Sequence, residues 1–335
     1  MDQRNAVSDR FMMRRRDLVA LVSSVIILRS GSGWAAPARV GIVGPPPPPV
    51  LAAISDAIAI TLASRGLVRD RDFVFDLRSA EGKPERLPAL AEALVADGAV
   101  VIVARSYPAA RAAKNATSAI PIVIEYAGEP VETGLAASLA RPSGNVTGLS
   151  DMSSELSAKR LELLRLVVPD MKRVAMLWNA DDLGMTGRYK AASAGASLMG
   201  IEVLPLGVRE PDDFGSAFET MTREKPDGLL MVTDVLTLLN RKRVLEFATA
   251  NKLPAIYEFD NLAREGGLMS YGADDKEVTA RLADLIARIL KGAKPADLPF
   301  EQPTAFRLVA NQKTADSMGL KLPSNLLARA DEVIE

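Results

Sequence analysis

The stretch Arg39–Ile60, RVGIVGPPPPPVLAAISDAIAI, reads as an apolar strand, a turn at Gly44 and a helix, with five consecutive prolines, Pro45 to Pro49, between the two elements. A strand, a tight loop and a helix form the repeating unit of a parallel sheet. In many such proteins this first loop is rich in glycine, because its free N–H groups and the helix N-terminus together hold a phosphate. Proline has no N–H and a fixed φ. The run therefore cannot cradle a nucleotide, and it reads as a stiff polyproline wall beside the strand ends.

The same alternation continues on both sides of the chain's midpoint. Strands are expected at 39–43, 73–77, 99–104, 120–126 and 145–149, with helices starting near Val50, Pro84 and Pro108. A second set follows at 173–178, 202–208, 228–233, 254–259 and 267–272, with helices near 155–168, 185–199, 212–225 and 240–251. Gly66 and Gly98 stand where C-terminal caps belong. A long helix closes the pattern, with Asp274 and Glu277 spaced as a capping box and Gly292 at its end. The fold class is α/β, with two similar lobes of five parallel strands each. A ligand then belongs at the C-terminal strand ends, where the lobes face each other.

Composition narrows the chemistry. The 335 residues are 48% hydrophobic and 25% charged, enough for two cores. Cys and His are both absent, which excludes thiolate nucleophiles, imidazole bases, zinc sites and disulfides. The 41 basic residues balance 42 acidic ones, so the charge balance gives no footprint for nucleic acid. Neither a G-x-S-x-G elbow nor a G-x-x-x-x-G-K-[ST] loop is present.

Residues 1–38 have the anatomy of a signal peptide. Arg14, Arg15 and Arg16 precede the uncharged run Leu18 to Leu28, and the small-residue stretch GSGWAAPA follows. Eleven residues are too few for a membrane span, which needs ~20. Cleavage is expected after Ala36 or Ala38, by either the general secretory or the twin-arginine route. With no cysteine for a lipid anchor, the expected location is free in the periplasm. Removing 1–38 leaves 35 basic and 39 acidic residues.

The strand ends carry most of the aromatic and acidic residues of interest. Tyr107, Tyr126, Tyr257, Tyr271 and Trp178 all fall there, leaving only Tyr189 elsewhere, which suggests an aromatic-lined cleft. Glu125, Glu129, Asp181, Asp182, Asp234, Glu258 and Asp260 share these ends, with Arg105 the only basic residue. Paired carboxylates suit glycosidase-type acid and base catalysis, the binding of an ammonium group, or helix capping. Their spacing does not select among the three.

Several longer blocks carry a family likeness: SAIPIVIEYAGEPVETGLAASLARPSGNVTGLS (118–150), KRLELLRLVVPDMKRVAMLWN (159–179), LPAIYEF (253–259) and GGLMSYG (266–272). With these the chain resembles the substrate-binding proteins of ABC transporters, in the group that includes binders of tryptophan and other aromatic amino acids. The resemblance implies a type I periplasmic-binding fold: two Rossmann-like lobes joined by a hinge of three crossovers, closing on a small ligand and presenting the closed form to a membrane permease. On that pattern lobe one is 39–146 plus 270–296, and lobe two is 147–269 plus 297–335. It implies no enzyme activity, no cofactor or metal, no nucleic acid partner, and a monomer. Candidate contacts are Ser106, Tyr107 and the backbone at Gly128 and Glu129 for a carboxylate or polar head, Asp234 for an ammonium group, Asn179 beside it, and Trp178, Tyr257 and Tyr271 for stacking. Ser106-Tyr107-Pro108 stands where many members have Gly-Thr-Pro or Ser-Thr-Pro, and Gly128-Glu129-Pro130 where Gly-Asp-Pro is usual. An exported carboxylate-dependent hydrolase and a ligand sensor for a membrane receptor are the competing readings.

Overall fold

The computed structural model describes residues 36–126, 128–150 and 152–335; the expected leader lies outside them except for its last three residues. The chain begins with β1 (Ala38–Gly44), α1 (Pro48–Ser64), β2 (Phe73–Ser79), α2 (Leu87–Ala96), β3 (Val101–Arg105), α3 (Tyr107–Ala116), β4 (Ile122–Glu125) and β5 (Val146–Gly148). These strands form one parallel sheet in the order β2-β1-β3-β4-β5. Then follow α4 (Ser153–Val167), β6 (Arg173–Asn179), α5 (Leu183–Leu198), β7 (Glu202–Val208), α6 (Asp213–Glu224), β8 (Gly228–Met231), α7 (Val235–Leu239), α8 (Arg241–Ala250), β9 (Ala255–Tyr257), α9 (Asp260–Arg264) and β10 (Met269–Ala273). The last elements are α10 (Asp275–Leu290), β11 (Phe306–Asn311), α11 (Gln312–Met318), α12 (Ser324–Leu327) and β12 (Glu332–Ile334).

The second sheet runs β12-β11-β10-β9-β8-β6-β7, with β11 antiparallel to β10. It therefore has seven strands where the alternating pattern predicts five. β11 joins antiparallel to β10, outside the parallel repeat, and β12 is a three-residue edge strand with no buried side chain, so neither shows the apolar run of an inner strand.

Both sheets are buried on both faces, which is why their strands read as near-continuous apolar runs. Val40 and Ile42 of β1 pack with Leu51 and Ile58 of α1 and with Leu282 and Ile286 of α10. On the opposite face Val43 and Ile102 meet Leu87 and Leu94 of α2 and the alanines of α3. In the second lobe Val174 and Met176 belong to the cluster of α4 and α5, while Ala175 and Leu177 face α6 and α8.

The chain passes between the lobes three times: from β5 to α4, from β10 to α10, and from α10 to β11. The crossings are tied to one another. Ser150 N donates to the Glu301 carbonyl at 3.0 Å and Glu301 N to the Gly148 carbonyl at 2.9 Å. Asp274 caps α10 by accepting from the backbone of Lys276 and Glu277, as the sequence predicts. The Glu277 carboxylate, however, does not complete a capping box. It reaches the third crossing instead, accepting from Thr304 N and Ala305 N and pairing with Arg281. Burial works against its charge, but these bonds outweigh it and pull its pKa down to about 2.

Two glycines stand directly before crossings. Gly148 has φ +154°, and a Cβ there would overlap the Ile124 backbone; at Gly272 it would overlap the Glu258 carbonyl. Neither obstacle is a side chain that could swing aside. Gly148→Ala is expected to lower the thermal midpoint by roughly 5 °C or more. Gly98→Ala, with φ +77° but open space around it, should lose only about 1 kcal/mol, and paired thermal melts check the contrast.

Candidate functional site

A cavity of about 310 Å³ lies between the C-terminal ends of the two sheets, at the small end of the ~300–1,000 Å³ range of ligand pockets. Lobe one supplies Pro45 and Pro46 from the proline run, then Arg105, Ser106 and Tyr126. Lobe two supplies Asn179, Asp182, Arg188, Asp234, the leucines of α7 and Phe259. The lobes touch around it. The rings of Tyr126 and Phe259 meet edge to face at 5.5 Å, and the backbone of Gly128 faces that of Gly184.

The proline run is built into this wall through its carbonyls. Pro45 O accepts from Gly82 N at 2.9 Å, Pro46 O from Ser79 Oγ at 2.6 Å, and Pro47 O from the first amides of α1. The loop offers acceptors and ring faces to its surroundings, and its first two rings line the cavity.

Of the nine candidate contacts named from the sequence, the fold brings three together on the cavity wall: Ser106, Asn179 and Asp234. Ser106 caps α3, accepting from Ala109 N in a strained backbone with φ 145°. Asp234 caps α7 in a capping box with Thr237, and its other oxygen accepts from Asn179 Nδ2 at 2.6 Å.

The remaining candidates lie elsewhere. Tyr107 is packed with α2 and α3, and Tyr257 is fully buried among Leu229, Met231 and Leu262. Trp178 stacks on Tyr189 at 3.8 Å in a small cluster with Met185, whose own side chain reaches the cavity. Tyr271 leans on Phe306 while its carbonyl accepts from Arg160. Gly128 sits in the contact between lobes, and the Glu129 carbonyl accepts from Thr133. The cleft is lined mainly by proline and aliphatic side chains, and among the described residues only Tyr126 and Phe259 bring aromatic rings to it.

The charged groups form two nests, one per lobe. In lobe two Glu258, 3% exposed, pairs with both Arg160 and Arg188 at 3.0 Å and accepts from Thr233 N. In lobe one Glu125, 2% exposed, lies 2.6 Å from Arg105, whose guanidinium also sits over the Tyr126 ring. Burial raises the pKa of Glu125 and the arginine opposes it. A short repeat generates both nests: PIVIEY at 121–126 and PAIYEF at 254–259 each end a fourth strand with a buried glutamate and an aromatic residue. That repeat is the sequence signal by which the nests could have been found. Arg188 was harder to foresee, because it lies inside α5 and away from any strand end.

Asp182 caps α5 through Oδ1, accepting from the amides of Gly184 and Met185. Burial and the neighbouring charge of Asp234 push its pKa up to about 6, and burial raises that of Asp234 as well. Among the described residues no helix is long and apolar enough to cross a membrane.

Comparison with known proteins agrees with this architecture. The family model described as ABC transporter substrate binding protein matches residues 40–334. A tyrosine-binding protein of Clostridioides difficile (strain R20291) is 27% identical over 260 residues, covering 78% of this chain and 74% of the relative. The crystal structure of an ABC domain from Streptococcus pneumonia in complex with L-Trp is 26% identical, with TM-score 0.83 over 89% of this chain and 100% of that one. A ligand-free, open substrate-binding protein with adhesive properties from Clostridium difficile, also 26% identical, gives TM-score 0.66 over 89% of this chain and 99% of that one. The closer match to the ligand complex accords with the contacts across the cleft.

With no histidine in the chain, raised carboxylates are the side chains left to titrate just below neutrality. The folded protein holds a proton on Asp182 below about pH 6, whereas the unfolded chain releases it down to its ordinary value of 3.8. Stability of the ligand-free protein through this group therefore increases as pH falls from 7 to 5, by about 1 kcal/mol, and Asp182→Asn should flatten that part of the profile. Chemical denaturation at several pH values measures the slope.

Proposed function

Because this chain belongs to the ABC transporter substrate-binding protein family, we propose that it is an exported, periplasmic monomer that captures an amino acid between its lobes and hands it unchanged to an ABC permease. The observation that carries this reading is a cavity walled by both lobes, so that ligand binding and lobe closure become one event. Family membership supports the permease as partner, and the leader-like residues 1–38 support export.

The lining suits a ligand with an apolar body and a polar head. Proline rings and the leucines of α7 take the body, and Ser106, Asn179 and Asp234 take polar groups. The tyrosine-binding relative and the L-Trp complex make aromatic amino acids the first to test. Asp182 and Asp234 are engaged in capping two helices, an arrangement suited to holding a ligand cation. That favours capture over hydrolysis.

Titration of the chain from Arg39 with a panel of amino acids, following Trp178 fluorescence and heat, tests the reading. A saturable signal is expected for at least one member, with the ligand recovered intact by mass spectrometry. Asp234→Asn, which preserves a helix-capping side chain while removing the charge, should weaken that binding about tenfold. Conversion of the ligand to products, or a folded protein that binds nothing in the panel, would overturn the proposal.

A further inference from the structure

Two side chains on opposite walls of the cavity are each satisfied by the protein on one side only. On lobe one, Arg105 is held electrostatically by Glu125 at 2.6 Å, but its Nη1 is buried with no acceptor among the described residues. Its side chain is 12% exposed. On lobe two, Asp182 is 6% exposed; its Oδ1 receives two backbone amides, while Oδ2 receives no hydrogen bond or ion pair from any described residue. Thr233, 3% exposed and on the same wall, has a hydroxyl without a partner as well. Buried polar groups are almost always matched, and an unmatched one on a residue that lines a cavity calls for an explanation.

The two open groups carry opposite charges and do not pair with each other. Arg188 is a poorer candidate for an anion, because its charge already faces Glu258 and lies close to Asp182.

We propose that the ligand is a zwitterion whose carboxylate is taken by Arg105 of lobe one and whose ammonium group is taken by Asp182 of lobe two, so that its own two charges draw the lobes together. This rests on the reading of the protein as an amino-acid carrier. It adds a division of labour: neither wall recognises the ligand alone, and a molecule with one charge engages one lobe and leaves the other group buried and unmatched. Such a mismatch is heavily penalised in a site that excludes water.

The test is a cycle of ligands and variants read by calorimetry. The probes are L-tyrosine, tyramine, which lacks the carboxylate, and 3-(4-hydroxyphenyl)propionate, which lacks the ammonium group; L-leucine with isoamylamine and 4-methylpentanoate forms a second set. For the wild type, removal of either charge should weaken binding about 100-fold. Arg105→Gln combined with Glu125→Gln removes the guanidinium without leaving a buried carboxylate unpaired. In that variant the amino acid should fall to the affinity of its amine, while the amine binds as it does to the wild type. Asp182→Asn should do the converse, bringing the amino acid down to its acid analogue. If a variant with a wild-type melting profile loses all three ligands of a set equally, or binds the amino acid undiminished, the assignment is overturned while the carrier reading stands. If neither L-tyrosine nor L-leucine binds the wild type and other panel amino acids also fail, the carrier reading falls and the assignment falls with it.

Discussion

Glu258 is the point on which the ligand-facing wall of lobe two depends. One carboxylate, almost wholly buried, holds two arginines from two different helices and the amide that follows β8. Arg160 in turn grips the carbonyl of Tyr271 in β10. Four elements are thereby fixed to the end of β9. A buried ion pair adds little net stability compared with apolar packing, but it fixes geometry strictly, because displacing any member strands a charge away from water. Arg188 therefore meets the cavity in one position, and Asp182 and Asp234 are set by helix caps close to it.

Lobe one carries a lighter version of the same arrangement. Glu125 holds a single arginine, with contact outside hydrogen-bond geometry, and the following residue, Tyr126, has φ 58°. The phenol of Tyr126 donates to Asp275 at 2.7 Å, and burial together with nearby carboxylates keeps it protonated for that role. Its ring is thus held from behind by α10 while its edge meets Phe259 across the cleft. The aromatic members of the two matching glutamate–aromatic pairs, Tyr126 and Phe259, meet edge to face on the cavity wall. The lobe with the firm nest presents the acidic wall, and the lobe with the looser one presents an arginine whose Nη1 has no acceptor among the described residues.

The architecture was legible because both sheets are buried on two faces, so every inner strand announces itself as an apolar run between helices of regular period. The edge of the second sheet was not, since β11 reverses direction against β10 and β12 is a three-residue strand with no buried side chain. In the site, Ser106 and Asp234, singled out for their strand-end position, lie on the cavity wall, because strand-end position is a local property that sequence displays. The tyrosines misled for an equally physical reason. A strand end can turn its side chain to either face, and Tyr107, Tyr257 and Tyr271 turn into the packing while Tyr126, in the left-handed region, turns to the cleft. Arg188 depends on the phase of α5 against the sheet, which only the assembled fold reveals.

The proline wall has a further consequence, which is entropic. Pro45, Pro46, Pro84, Pro108 and Pro211 all border the cavity, and a proline ring has no rotamers to lose when something is laid against it. Long flexible side chains in the same places would each surrender rotational freedom when a ligand was buried, roughly 0.5–1.5 kcal/mol apiece. Here the proline part of the apolar surface is already as ordered when empty as when filled. Its selectivity is accordingly a matter of fixed shape, and a ligand must fit the rings as they stand because the rings do not adjust to it.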